Sequence, residues 1–223
     1  APRITGDLNL DKLQMKTQWS PVTVDSGFVR INFQGTKSVL SGHIKTKEGK
    51  LDINGDADWR KIDAWRANIA AQGDKLLVLM PPMIQLSLSP DLTIAASPER
   101  LKLDGTVRVP WAKIIVNEVP ESAVGVSSDE VILDSRLKPV EEKQAGIPIE
   151  GNLMLDIGPN VYLEAFGLKS KLKGKLNVLQ DLKGLGLHGE VALIDGEFRA
   201  YGQDLVIKEG EIVFAGPPDQ PRF

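Results

Sequence analysis

Residues Gly184-Leu185-Gly186-Leu187-His188-Gly189 match the letters of the glycine-rich loop that binds dinucleotides. That loop works only between a strand and a helix, because the pyrophosphate rests on the helix N-terminus. Here Glu190-Val191-Ala192-Leu193 follow, and they alternate as a strand does, so the match is one of letters only. The two histidines, His43 and His188, fall at polar positions of alternating segments. A triad or metal site would need partners converging on them in a pocket, and surface positions are the plainer reading. Asp52, Asn54, Asp56 and Asp58 recur at every second position. Calcium usually takes its oxygens from a turn that wraps the ion, so this row reads as a solvated face, with a weak calcium site as the alternative. Lys169, Lys171, Lys173 and Lys175 have the same spacing, opposite Leu168, Leu172 and Leu176. They read as a solubilising stripe that discourages edge pairing, with contact to lipid headgroups or a partner as the alternative. No constellation for catalysis survives and no metal or cofactor is implied. The chain reads as a non-enzyme that binds, conducts or scaffolds.

Composition bounds what positions these residues. The chain has 223 residues, 42% apolar and 26% charged, the balance of an ordered chain. The net charge is −3 with no basic block, which argues against nucleic acid. There is no cysteine, so disulfide scaffolds, cysteine zinc sites and thiol chemistry are excluded. Residues 1–6 contain no basic-then-apolar run, so no signal peptide is expected here. The longest apolar run, 76–82, is far short of the ~20 residues of a membrane helix. A soluble segment is expected, with any anchor outside it.

Period-two alternation dominates. Leu101, Leu103, Gly105, Val107, Val109 and Trp111 fall on one side of an extended segment, and Lys102, Asp104, Thr106, Arg108 and Pro110 on the other. Segments 51–59, 84–88, 92–96, 147–157, 161–165, 168–178 and 185–193 read alike, as strands with one wet and one greasy face. Such strands are usually antiparallel. Turn signals separate them at Glu48-Gly49, Gly73-Asp74, Ser89-Pro90-Asp91, Ser97-Pro98, Gly158-Pro159-Asn160, Asp195-Gly196 and Glu209-Gly210. Helix is scarce: 58–67 could make a turn or two, or a bulged loop. Segments 119–128 and 135–146 read as loops, and the second suggests a division into 1–145 and 146–223, either a linker or a long excursion between strands.

One unit recurs: apolar, any, Gly, any, apolar, any, apolar. It reads Ile4-Thr-Gly6-Asp-Leu8-Asn-Leu10, then returns around Gly42, Gly55, Gly105, Gly151, Gly174 and Gly189. The spacing is irregular, so no fixed-period solenoid is indicated. Each glycine lies on the apolar face. Glycine within a strand weakens it by up to ~1 kcal/mol, so its reuse requires a structural return: sharp sheet curvature or close approach of another backbone or ligand. The expected fold is all-β with little helix, an elongated sheet curled into an open apolar groove, a half-pipe. The alternative is a closed sandwich with bulges, its apolar face serving as core. The groove lining would be Leu86, Leu88, Leu92, Ile94, Leu101, Leu103, Val107, Val109, Ile149, Leu153, Leu155, Leu172, Leu176, Leu187, Val191 and Leu193.

A family likeness rests on longer strings. Residues 49–67 read Gly-Lys-Leu-Asp-Ile-Asn-Gly-Asp-Ala-Asp-Trp-Arg-Lys-Ile-Asp-Ala-Trp-Arg-Ala. Then come Pro81-Pro82-Met83, Leu88-Ser89-Pro90-Asp91-Leu92, Val109-Pro110-Trp111-Ala112, Glu118-Val119-Pro120-Glu121-Ser122-Ala123-Val124 and Ser127-Ser128-Asp129-Glu130. Asp195-Gly196-Glu197-Phe198 and Gly202-Gln203-Asp204-Leu205 complete the series. Through nearly its whole length the chain closely resembles the C-terminal region of the TamB family, periplasmic subunits of translocation and assembly modules related to AsmA-like and bridge-like lipid transfer proteins. The resemblance implies a piece of a longer Gram-negative envelope protein, anchored in the inner membrane outside this chain, with 146–223 continuing the groove of 1–145 and cut short where another strand begins at 217–223. It implies a TamA-like outer-membrane barrel of the BamA type as partner, and no catalytic residues.

Two functions fit the same residues. A lipid conduit would shelter phospholipid or other acyl chains passing between the membranes. A scaffold would hold nascent outer-membrane protein strands, such as those of autotransporters, by edge addition. The pattern does not separate them.

Overall fold

The computed structural model describes residues 1–14, 22–80, 83–116, 147–200 and 202–217. Alternation drives nearly all of them into strands, which take 78% of the described residues with no α-helix among them. In chain order these are β1 (Ile4–Leu10), β2 (Ser26–Gly35), β3 (Lys37–Lys45), β4 (Lys50–Asp58), β5 (Arg66–Asp74), β6 (Leu76–Met80) and β7 (Ile84–Ala96). Then follow β8 (Leu101–Val116), β9 (Ile149–Ala165), β10 (Leu168–Asp181), β11 (Gly184–Ala200), β12 (Gln203–Ile207) and β13 (Gly210–Gly216). The stretch 58–67, which could have made a helical turn or two, yields one 3-10 turn, Ile62–Ala64, between β4 and β5.

All thirteen strands form one sheet, ordered β1-β2-β3-β4-β5-β7-β8-β9-β10-β11-β12, with β6 on β7 and β13 on β11. The sheet is open and curled, not closed into a barrel. Neighbours run antiparallel except β8 and β9, which pair in parallel from Leu101↔Ile149 to Val116↔Ala165. That pairing is the exception to the usual antiparallel arrangement. Parallel neighbours need a long crossover, and the chain between these two strands is long enough for one. The predicted loops at 119–128 and 135–146 fall outside the described residues, as do 218–223. Because β8 pairs with β9, strands on both sides of residue 145 belong to one sheet.

Three expected turns lie inside strands. Ser89-Pro90-Asp91 is within β7, Gly158-Pro159-Asn160 within β9 and Asp195-Gly196 within β11. At each, the register of a neighbouring pair shifts: between Ser87 and Ser89 on β7, between Val109 and Trp111 on β8, between Leu172 and Gly174 on β10, and between Lys169 and Lys171 on β10. These are β-bulges, which use the same glycines, prolines and aspartates as turns while the strand continues. Pro90, which has no N–H to donate, sits where the β5 ladder ends at Gln72↔Asp91 and that of β6 begins at Leu88. The bulges line up as a crease across the sheet, from the β5/β6 break to the β12/β13 break on β11.

The crease also corrects one side-chain assignment. β8 carries one residue more than β7 at the bulge, so Trp111 pairs with Ser87 on the polar face. Ala112 and Ile114, opposite Leu86 and Ile84, take the apolar face instead. Near the crease neighbouring strands of the curled sheet bury apolar side chains against one another. Ala112, at 0% exposure, Val161, Leu172, Leu176 and Val191 form the buried cluster, with Val109, Leu155, Ile157 and Phe214 against it. Elsewhere on the apolar face the large side chains stay partly exposed.

Glycine permits this curl. A Cβ on Gly105 would meet the carbonyl oxygen of Asp91, and one on Gly189 that of Lys175. Their φ values, +142° and +136°, lie where L side chains are strained. At both positions the neighbouring strand's backbone occupies the space a side chain would need.

Candidate binding trough

Strand pairing assigns the faces, since residues directly opposite in a ladder share one. One row runs Leu8↔Ile31, Ile31↔Leu40, Leu40↔Gly55, Gly55↔Ile69, Ile69↔Ile94, Ile94↔Leu103 and Leu103↔Gly151. The next runs Leu10↔Val29, Val29↔Gly42, Gly42↔Ile53, Ile53↔Ala71, Ala71↔Leu92, Leu92↔Gly105, Gly105↔Leu153, Leu153↔Val178 and Val178↔Leu187. Each row crosses the sheet as a band of aliphatic side chains interrupted by glycine or alanine. Within the strands the polar residues on this face are few: Ser38 near the start, Ser170 at the crease, Gln180 at one end and Gln203 on β12. Ser170 is buried and donates to the Ile194 carbonyl at 3.1 Å across the bulge.

Every lining residue named from the sequence lies on this one face. Leu86, Leu88, Leu92 and Ile94 come from β7; Leu101, Leu103, Val107 and Val109 from β8; Ile149, Leu153 and Leu155 from β9. Leu172 and Leu176 come from β10, and Leu187, Val191 and Leu193 from β11. They are not equivalent. Leu172, Leu176 and Val191 are sealed in the cluster, with Leu86, Val109, Leu155 and Leu193 packed against it. Leu92, Ile94, Leu101, Leu103, Val107, Ile149, Leu153 and Leu187 remain partly or fully exposed on the part of the face that no described residue covers, Ile149 at 58% exposure. The face also extends to residues not named in advance: Ile4, Leu8 and Leu10 on β1, Ile31 on β2, Leu40 on β3, Ile53 on β4 and Ile69 on β5. The recurring glycine unit at Gly6, Gly42 and Gly55 marked those strands.

Charge is confined to the other face and the strand ends. The Lys169, Lys171, Lys173 and Lys175 stripe is met by acids: Lys169 reaches Glu164 at 3.3 Å, Lys171 reaches Asp195 at 3.4 Å, and Lys175 stands opposite Asp156 and Glu190. His43 Nδ1 lies 2.6 Å from an Asp52 oxygen, so one carboxylate of the Asp52–Asp58 row is engaged within the sheet. The guanidinium of Arg60, then its backbone N–H, hold the pKa of the Asp58 carboxyl below its ordinary value. His188 stands opposite Asn177 on the polar face. The Gly184 to Gly189 match lies wholly inside β11, with no helix after it.

The surface can do one thing well: hold extended aliphatic groups by burial, without fixing them by hydrogen bonds at any point. Residues 34–223 match the family model described as the TamB C-terminal domain. The chain is 38% identical over 229 residues to the translocation and assembly module subunit TamB of Haemophilus influenzae, an alignment covering 99% of this chain. It spans 18% of that relative's length. The chain belongs to the TamB family, as its C-terminal domain.

Proposed function

We propose that this domain is a non-enzymatic section of a periplasmic conduit within a translocation and assembly module, in which acyl chains of phospholipid move along the trough between the inner and outer membranes. The observation that carries this reading is the aliphatic face running from β1 to β11, which outside the crease no described residue covers. Exposing a 16-carbon chain to water costs roughly 12 kcal/mol at ~0.8 kcal/mol per methylene. Eleven strands lie on the sheet path, which at ~4.8 Å per step makes a trough roughly 48 Å long. That is about three times the ~15 Å hydrocarbon depth of one leaflet, so a chain can lie wholly inside and still have room to advance. Uniform walls remove the cost of exposure everywhere and create no deep well, so movement is unhindered. The partner at the outer membrane is a TamA-like barrel, and the remainder of the protein carries the inner-membrane anchor.

A scaffold for nascent outer-membrane strands is the second reading, favoured by β1, whose residues are exposed and whose outer edge pairs with no described strand. Photo-crosslinkers separate the two. At Ile94 or Leu103 they should capture phospholipid in cells, while at Lys102 or Lys173, on the other face, they should not. Capture of outer-membrane protein at Ile94 and Leu103 without lipid would replace the conduit with the scaffold.

A further inference from the structure

One edge of the sheet is unlike the others. β6 reads Leu76-Leu77-Val78-Leu79-Met80, and no other described strand lacks a polar residue. Leu76, Val78 and Met80 stand opposite Leu88, Leu86 and Ile84 on the trough face, while Leu77 and Leu79 stand opposite Ser87 and Gln85 on the reverse face. Trp111, also opposite Ser87, shares that reverse face. β6 is therefore apolar on both sides, with Leu79 at 36% and Met80 at 45% exposure. Its outer edge is bare among the described residues: β4 covers β5 from Asp74 to Arg66 and goes no further, and β6 pairs with β7 alone. Sheet edges are normally blunted by charge. The outer strands β1, β12 and β13 follow that rule with Asp7, Asp204 and Glu211; β6 does not.

Three features say what fits this edge. A bare edge presents a row of backbone N–H and C=O groups, which another peptide satisfies and an acyl chain does not. Its side chains offer no charge, so the occupant is uncharged where it pairs. The edge is also short. Lys75, at φ +51°, precedes it with its N–H donated to Ser89 Oγ at 3.1 Å, Pro81-Pro82 follow it, and five residues extend roughly 17 Å. One strand of that length gives far less contact than the ~800 Å² per partner that a stable dimer buries, so the edge does not hold a second copy of this chain.

We propose that the outer edge of β6 takes up, by β-addition, one extended segment of an unfolded protein that is uncharged and apolar at every second residue, the pattern of a membrane-spanning β-strand. The inference goes beyond the conduit and needs no lipid in the trough. Elsewhere in the sheet a one-residue slip puts polar side chains on the greasy face. Beside β6 either register finds apolar neighbours, Leu76 and Val78 on one side or Leu77 and Leu79 on the other. Strands of different sequence are therefore held, each by about five residues, and the hold is reversible.

The test measures binding of a labelled nine-residue peptide of alternating leucine and threonine to the 223-residue chain by fluorescence anisotropy. A second peptide, with every backbone nitrogen methylated, keeps the side chains and loses the donors. Wild type should bind the first at least about tenfold more tightly than the second. Leu77→Lys with Leu79→Lys should weaken binding of the first about fivefold and leave phospholipid binding unchanged, because both positions lie behind the trough. A photo-crosslinker at Leu79 should capture the peptide, and one at Asn9 on β1 should not. Equal affinity of wild type for the two peptides would reduce the contact to apolar adhesion and overturn strand addition. Unchanged binding by the lysine variant, with capture at Asn9, would move the strand to β1 and overturn the assignment to β6. Dimers of wild type that the lysine variant lacks would give the edge to a second copy, and binding only after 119–145 is replaced by a glycine-serine linker of equal length would give it to this chain's own crossover; either would overturn the partner strand, as would a wild type that binds neither peptide.

Discussion

Gly189 and Gly151 occupy the same place in the recurring unit, yet the structure treats them differently. A Cβ at Gly189 would meet the Lys175 carbonyl from a backbone at φ +136°, whereas one at Gly151 would find only ordinary contacts at 3.6 Å. Gly189→Ala should therefore destabilise by about 1–3 kcal/mol in chemical denaturation, and Gly151→Ala should change stability by less than about 0.5 kcal/mol. Equal effects would mean that the glycines do not admit the neighbouring backbone. The distinction was not legible in the letters, because both glycines sit in one pattern and only the local curl sets them apart.

At the scale of the element, the bulge in β8 decides which residues face the trough. Val109 and Trp111 would share a side in a regular strand, and that is how simple alternation reads them. The extra residue turns Trp111 to the polar face and Ala112 and Ile114 inward. Deleting Pro110 should leave these faces as they are, with Val109 opposite Leu88 and Trp111 still opposite Ser87, whereas deleting Ala112 should force Trp111 or Lys113 into the most buried place of the cluster. Overpacking or a buried lysine there should cost at least about 3 kcal/mol, seen as a lowered and broadened thermal transition for the Ala112 deletion alone. A sharp transition at the wild-type temperature for the Ala112 deletion would show that the bulge does not set the register. The strands themselves were legible, since alternation survives in any pairing. The bulges were not, because Ser89-Pro90-Asp91, Gly158-Pro159-Asn160 and Asp195-Gly196 have turn chemistry within continuous strands. Nor was the parallel β8–β9 pair, because a strand wet on one face alternates identically beside a neighbour of either direction.

Across the whole molecule, burial is uneven. The cluster lies on β8 to β11, while every residue of β1 is exposed. Amides of β9 and β10 next to Val161 and Leu172 should exchange slowest, and those of β1 and β2 fastest, in native-state hydrogen exchange. Uniform protection from β1 to β11 would contradict an open sheet stabilised mainly at its crease. This division was hidden in the sequence: alternation placed Leu103 and Leu172 on one face but not the curl that seals one and leaves the other uncovered. It is also what separates a trough from a sandwich, and Leu103 tests it. In a sealed core, Leu103→Arg would bury an unpaired cation at a cost of several kcal/mol, a large share of the 5–15 kcal/mol that holds a domain together. On an open face, the guanidinium reaches water along its flexible stem, while each acyl chain passing that point meets a charge. The most direct measurement is thermal melting of Leu103→Arg together with phospholipid transfer between donor and acceptor vesicles. The trough predicts a folded variant, melting within a few degrees of wild type, whose transfer is lost. Global unfolding, or a folded variant that transfers lipid as wild type does, would contradict it.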